Sequence, residues 1–376
     1  MLEAPIPFGG AAARWYFVLL NQLIKNGHDV SAFSAVSKKN EIAIIQQYFP
    51  KENIKAFLFP KRSGIKAKWQ TLLKPYSYMF SDEMQESINQ RLKEPYDVIH
   101  LEQLWTTWLI KGHEKKSIAS IHYLSAIDLE LVKGKDIKER MYFWLMKRTE
   151  KKMLSRLYAI KTCSKRLEKK IHEWFPEKKI ISIPFAIDHQ LYPFTPNDLR
   201  PTQKRITLIA SMDWYPGKSA AIRLLEDLWP TLYKMNPDCV LTIVGWHAKK
   251  ELKKYLELQN IEIYENVPDI HKFFINSSIL LYAPCRGSGM KIKILESMLY
   301  GIPIVTTGEG VEGLDYVHRI HALVSDENSE LIQYAHELLN NFDLQQKLRF
   351  NARKLVEMQC SVANVVSEIE NFYSIV

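Results

Sequence analysis

Cysteine is scarce in this chain: there are four in 376 residues, at 163, 239, 285 and 360. They lie too far apart for a metal-ligand spacing or a disulfide framework and fit a reducing compartment. No apolar run approaches the ~18 residues of a membrane span, and the opening residues do not read as a secretory signal. Asp-x-Asp is absent, which removes one common way of clamping a diphosphate through a metal, and the eleven histidines form no close ligand cluster. There is no fixed-period repeat and no low-complexity tract. These absences set the expectation of a cytoplasmic protein whose site holds no resident metal and no cofactor.

What is present is an ordinary globular composition, 47% hydrophobic and 25% charged, in a length that suits two domains. The net charge of +9 points to an anionic partner: nucleic acid, a membrane surface or a phosphorylated substrate. A solvated lysine-rich surface is the alternative reading of the same excess. Apolar stretches alternate with helical patterns throughout. In the first half, strands are expected at 29–34, 54–59, 97–101, 117–122, 158–162 and 180–183, after a helix at 11–26 that Gly27 ends. A second series has strands at 206–210, 240–244, 261–264, 279–282, 304–306 and 322–324. Helices are expected between them at 219–234, 248–258, 291–300 and 329–340. Two more helices, 344–358 and 362–373, close the chain. The pattern predicts an α/β architecture of two Rossmann-like, doubly wound parallel sheets. Prolines at 184, 193, 196 and 201 mark a linker. The expected division is a domain over 1–184, a linker over 185–204, a second domain over 205–357 and a terminal helix over 358–376.

The start of the chain stands out. Pro5-Ile6-Pro7-Phe8-Gly9-Gly10 reads as the loop after a first parallel strand, yet only four residues precede it. Either the natural start lies upstream by about one strand, ~5–6 residues, or Met1 to Ala4 form a shortened strand.

The richest motif is Pro284-Cys285-Arg286-Gly287-Ser288-Gly289-Met290-Lys291-Ile292-Lys293-Ile294-Leu295-Glu296, followed by Gly301-Ile302-Pro303. A strand ends at Pro284, a glycine turn follows, and then a helix begins. Gly287 and Gly289 let backbone N–H groups approach an anion, and the positive end of the helix dipole points at the same spot. Arg286 and Lys291 add formal charge. Glu296 lies too far along the helix to share that phosphate and suits a pair of ribose hydroxyls. Lys293, two positions beyond Lys291, is expected to face elsewhere. In outline this is a nucleotide-diphosphate site.

The order Gly-Ser-Gly-x-Lys-x-Lys-x-Leu-Glu, then Gly-x-Pro-x-Val, resembles the donor-binding helix of the retaining family 4 glycosyltransferases (glycosyl transferases group 1), which have the GT-B fold. The resemblance implies two Rossmann-like domains facing a cleft. It also implies transfer of a sugar from a nucleotide-diphosphate sugar to an acceptor, with retention at the anomeric carbon and without a metal. The family's Glu-x7-Glu signature places its ribose carboxylate at Glu296, while its first Glu is replaced here by Ser288, as in a sub-branch reading Gly-Ser-Gly-x-Arg/Lys-x-Lys-x-Leu-Glu.

The resemblance covers nearly the whole chain. Gly9-Gly10, then Leu23 with Gly27-His28-Asp29-Val30, are similar to the family's first glycine loop and helix. An ordinary strand–helix turn is the plainer reading of that loop. His122 ends a strand, where open α/β sheets bind ligands, and matches the histidine that the family sets beside the donor sugar. His100 reads as a structural strand-end residue. Ser211 and Pro216 stand where many members carry the Gly-Arg…Lys-Gly cations, so the charge is expected to have moved to Lys291, with Lys218 and Arg286 as helpers. Gly245 ends another strand, and the backbone around Val267 resembles the base-contact segment. The loop 306–314, with Gly308, Gly310 and Glu312, resembles a further family loop or is simply a turn.

Two basic aromatic segments, 60–76 and 138–152, admit two readings. The second is either an amphipathic helix lying on an anionic bilayer or a core stripe with a solvated lysine face. No nucleic-acid-binding module surrounds either segment. The expected partners are a nucleotide-diphosphate sugar, a glycan or lipid-linked acceptor of the bacterial surface-polysaccharide kind, and peripheral contact with an anionic membrane at its inner face. The alternatives are a nucleotide-sugar epimerase of GT-B fold and a catalytically silent GT-B partner subunit.

Overall fold

The computed structural model describes residues 1–376 except 62–63, 131 and 133–135, and the backbone alone over 65–68. The basic segment 60–76 therefore lies partly outside the described residues. Contacts divide the chain into two compact units, Met1–Ile187 with Val362–Val376, and Asp188–Ser361.

The first unit carries six strands: β1 (Ala32–Val36), β2 (Ile54–Leu58), β3 (Ile99–Glu102), β4 (Ser117–Ile121), β5 (Ala159–Thr162) and β6 (Lys179–Ser182). β1 and β2 pair in parallel, and β3-β4-β5-β6 form a separate parallel sheet. The residues 1–4 lie beside β1. The Ala35 N–H donates to the Met1 carbonyl at 3.1 Å, the Ser34 hydroxyl to the Glu3 carbonyl at 2.8 Å, and Leu2 and Ala4 are buried. The expected strand at 29–34 forms instead at Ala32–Val36. The His28 N–H still closes the preceding helix onto the Leu23 carbonyl, so the chain needs the next residues to turn back before Ala32 meets Ile54. That helix, Ala11–Lys25, buries Ala13, Tyr16, Leu20 and Leu23 at helical spacing. The final helix, Val362–Tyr373, belongs to this unit: Glu370 accepts from Asn26 at 2.7 Å, and Phe372 packs with Ile118 and Ala159.

In the second unit, β7 (Arg205–Ile209), β8 (Val240–Gly245), β9 (Ile261–Glu265), β10 (Ile279–Tyr282), β11 (Ile304–Thr306) and β12 (Leu323–Val324) form one parallel sheet in the order β12-β11-β10-β7-β8-β9. The chain reverses its direction of growth between β7 and β10, the position where such sheets place their ligands. Two helices differ from expectation. The stretch expected at 219–234 begins at Tyr215, with Pro216 in its first turn where a missing N–H costs nothing, and widens to a π turn over Leu224–Leu228 before Trp229–Met235. Pro230 explains the wide turn, because it cannot donate to the carbonyl four residues back. The stretch expected at 248–258 is only Ala248–Glu251 and a short turn at Lys253–Tyr255. Lys249 and Lys253, and Lys250 and Lys254, are like-charge neighbours at i,i+4, which weakens a helix there. The proline-rich segment is not a free tether. Phe185 and Ile187 are buried within the first unit, and Tyr192 and Thr195 within the second, where the Thr195 N–H donates to the Tyr300 carbonyl at 3.0 Å.

Candidate active site

The candidate residues fall into both units: Gly9, Gly10 and His122 in the first, the others in the second. In the second unit β10 ends at Tyr282, and the turn 284–290 leads into the helix Ile292–Tyr300. Gly289 takes φ +77°, a left-handed conformation that disfavours a side chain. At Gly287 a Cβ would lie 2.7 Å from the Pro216 ring, so proline at 216 requires glycine at 287.

Lys291 is the N-cap of the helix rather than part of its first turn. Its ammonium folds back onto the turn, donating to the Ser288 carbonyl at 3.2 Å and to that of Gly289. Arg286 is half-buried and pairs with Glu309 at 3.2 Å. Glu309 also accepts the Gly287 N–H at 3.2 Å, so a carboxylate occupies the face of the turn to which an anion was expected to bind. Sequence reasoning passed over Glu309. It is 22 residues away in the chain and carries no local signal.

Glu296 is buried. Its Oε2 pairs with Lys293 at 2.8 Å, and its Oε1 accepts from the Tyr192 hydroxyl at 3.4 Å. Lys293 does face elsewhere than Lys291, whose ammonium lies on the turn. The pairing that places it there is with Glu296, its i,i+3 neighbour on the helix. Lys218 is engaged by Glu251 at 2.5 Å. Gly245 closes β8, and its carbonyl accepts the Asn266 N–H at 3.2 Å, which ties the Val267 segment to that strand end. Asp213 holds His247 at 2.7 Å.

In the first unit Gly9 and Gly10 are exposed ahead of the helix Ala11–Lys25, where the neighbouring Glu3 carboxylate accepts from the Ala13 backbone. His122 follows β4 and lies in a buried network. Its Nε2 donates to Glu102 Oε2 at 2.7 Å, and the Trp15 indole N–H reaches the same oxygen at 3.0 Å. His100 meets Glu102 Oε1 at 3.1 Å and the Tyr373 hydroxyl at 2.7 Å. A proton held on Nε2 leaves Nδ1 of a neutral His122 as a hydrogen-bond acceptor. The ring is packed against Phe185, with centroids 4.8 Å apart. Lys161, also buried, lies over the Trp15 and Phe185 rings. Burial would raise the Glu102 carboxyl, but hydrogen bonds from His100 and His122 hold it well below the usual range. Burial lowers His122 against the pull of Glu102, favouring the neutral ring. Among the described residues no group of three His, Cys, Asp or Glu is arranged to hold a metal ion.

The helix Ile137–Arg156 has a buried apolar stripe, as the core reading expects. Met146, Met153 and Leu154 are buried, while Ile137, Met141 and Trp144 are exposed beside basic residues. No helix among the described residues is long and apolar enough to cross a membrane.

Residues 203–341 match the sequence model of the family "Glycosyl transferases group 1". An "Uncharacterized 44.6 kDa protein in cps region" of Klebsiella pneumoniae is 21% identical over 388 residues, covering 98% of this chain and 97% of the relative. An "Uncharacterized glycosyltransferase" of Haemophilus influenzae is 27% identical over 220 residues, 54% of this chain and 60% of that relative. The crystal structure of Anabaena HepE in complex with UDP-glucose superposes with a TM-score of 0.70 at 12% identity, covering all of this chain and 99% of HepE. The fold is accordingly the two-domain, Rossmann-like GT-B fold.

Proposed function

We propose that this protein is a glycosyltransferase that moves a sugar from a nucleotide-diphosphate sugar to a glycan or lipid-linked acceptor, with retention at the anomeric carbon. The observation that carries the reading is the turn 284–290. It has two glycines, two flanking cations and a helix start, and it lies inside the segment that matches the glycosyltransferase family. The GT-B likeness to a structure holding UDP-glucose supports the substrate class. The relative named for a cps region supports a place in surface-polysaccharide assembly.

In the proposed reaction the bond from the anomeric carbon to the diphosphate breaks, and a bond to the acceptor oxygen forms on the same face. The acceptor's proton passes to the departing diphosphate. The protein's part is positioning and charge stabilisation: Arg286, Lys291 and the turn amides at the diphosphate, without a metal, Glu296 at the ribose, and His122 accepting a sugar hydroxyl at Nδ1. The exposed apolar and basic face of Ile137–Arg156 suits peripheral contact with an anionic bilayer.

A silent partner subunit is the second reading, favoured by Ser288 and Pro216 at positions where many members carry functional side chains. Thermal shift with a panel of nucleoside diphosphates, followed by assay of diphosphate release from the matching nucleotide-sugars, separates the two. Binding with release is expected. Binding without release under any acceptor leaves the silent reading, and no binding at all removes the donor site.

A further inference from the structure

We propose that Glu309 makes the donor site prefer a nucleotide-sugar over the free nucleoside diphosphate, so that the spent product is released. This rests on the donor-site reading of the turn 284–290. Glu309 follows β11, and its carboxylate crosses to that turn, pairing with Arg286 and accepting the Gly287 N–H, both at 3.2 Å. It is built in place, with its side chain only 13% exposed. The Thr306 hydroxyl donates to the Tyr282 carbonyl and the Thr307 hydroxyl to that of Pro284 at 3.4 Å, so the strand end that starts the turn also anchors the loop. On the other side the Gly308 N–H donates to Asp326 at 3.1 Å.

The consequence of that placement is electrostatic. A nucleotide-sugar carries its diphosphate as a diester, whereas transfer frees the terminal phosphate as a monoester whose second ionisation, near pH ~6, adds most of a further negative charge at neutral pH. A fixed carboxylate a few ångströms away disfavours that product more than the substrate.

The test is calorimetric titration of the full chain with UDP, GDP and ADP, and with nucleotide-sugars of whichever base binds, for the parent, Glu309→Gln and Glu309→Asp. Removing the charge should tighten the free diphosphate about tenfold, by loss of one nearby repulsive charge, and should tighten the nucleotide-sugar less. Glu309→Asp should keep the parental ratio of the two affinities. An unchanged ratio in Glu309→Gln, or a weakened free diphosphate, overturns the proposal and makes Glu309 a brace for Arg286. A parent that binds none of the nucleotides fails earlier, at the donor-site reading itself. Melting of each unliganded variant shows that it is folded, and Glu309→Ala repeats the charge removal should the amide misplace the loop.

Discussion

The glycine turn of the second unit and the strand-end histidine of the first are both candidate sites, but they are held in different ways. The turn is built from neighbours in sequence. Proline, two glycines and a helix start shape it, and its own carbonyls hold Lys291. His122 has no such local frame. Its orientation comes from Glu102 on β3, Trp15 on the first helix and Phe185 after β6, and its neighbour His100 is held by Tyr373 near the end of the chain. A change at the turn should therefore be felt mainly in ligand chemistry, and a change around His122 mainly in folding.

Replacing Glu102 by Ala is the severest test of that contrast. It leaves buried Lys161 without the negative charge of Glu102, and the Trp15 and His122 N–H groups without their acceptor. Breaking a buried pair in this way costs about 3–5 kcal/mol. Chemical denaturation should show the first unit losing that stability while nucleotide binding to the second unit persists. Lys291→Met should act in reverse. Stability should change little, and turnover, read as diphosphate release, should fall ~10²–10³-fold if its charge stabilises the leaving group. Lys293→Met is a poor control for it, because it removes the partner of Glu296. Lys254→Met, on the exposed surface beside Glu226, serves better.

A third test uses pH. Glu150, in the first unit, is buried and accepts the Ser125 and Ala126 N–H groups at 2.6 and 2.9 Å. Burial raises its carboxyl from 4.5 to about 7. The folded state then holds its proton more tightly than the unfolded one. Stability from this group is present below pH 4.5 and is lost as pH rises to about 7, by about 3 kcal/mol at ~1.4 kcal/mol per unit. Denaturation at several pH values should show this slope in the parent and not in Glu150→Gln, and a matching slope in both would remove Glu150 as its source. The smallest effect is expected at Glu296→Gln. Hydrogen bonds to a charged acceptor contribute ~1.5–3 kcal/mol, so nucleoside-diphosphate affinity should drop about tenfold or more. Equal affinity by calorimetry would place Glu296 in the structural pairing with Lys293 and Tyr192 alone.

Strands at 279–282 and 304–306 were legible to the residue because each is a short apolar run bounded by proline or glycine. The helices around Pro230 and the 249–254 lysines were not, since periodicity alone does not register a missing N–H or like charges at i,i+4. The glycine turn 284–290 and the helix start after it were legible because the residues that shape them are contiguous. Glu309 against that turn and Glu102 beneath His122 were not.

By itself, then, the sequence determined the two parallel-sheet halves, the glycine turn and the cations beside it, because backbone conformation and local charge depend on residues close in the chain. Only the tertiary structure decided which carboxylate meets which cation and which imidazole nitrogen holds its proton. The pairings of Arg286 with Glu309 and of His122 with Glu102 join residues 20 or more positions apart, and no local pattern records which segments a folded core brings within hydrogen-bond reach.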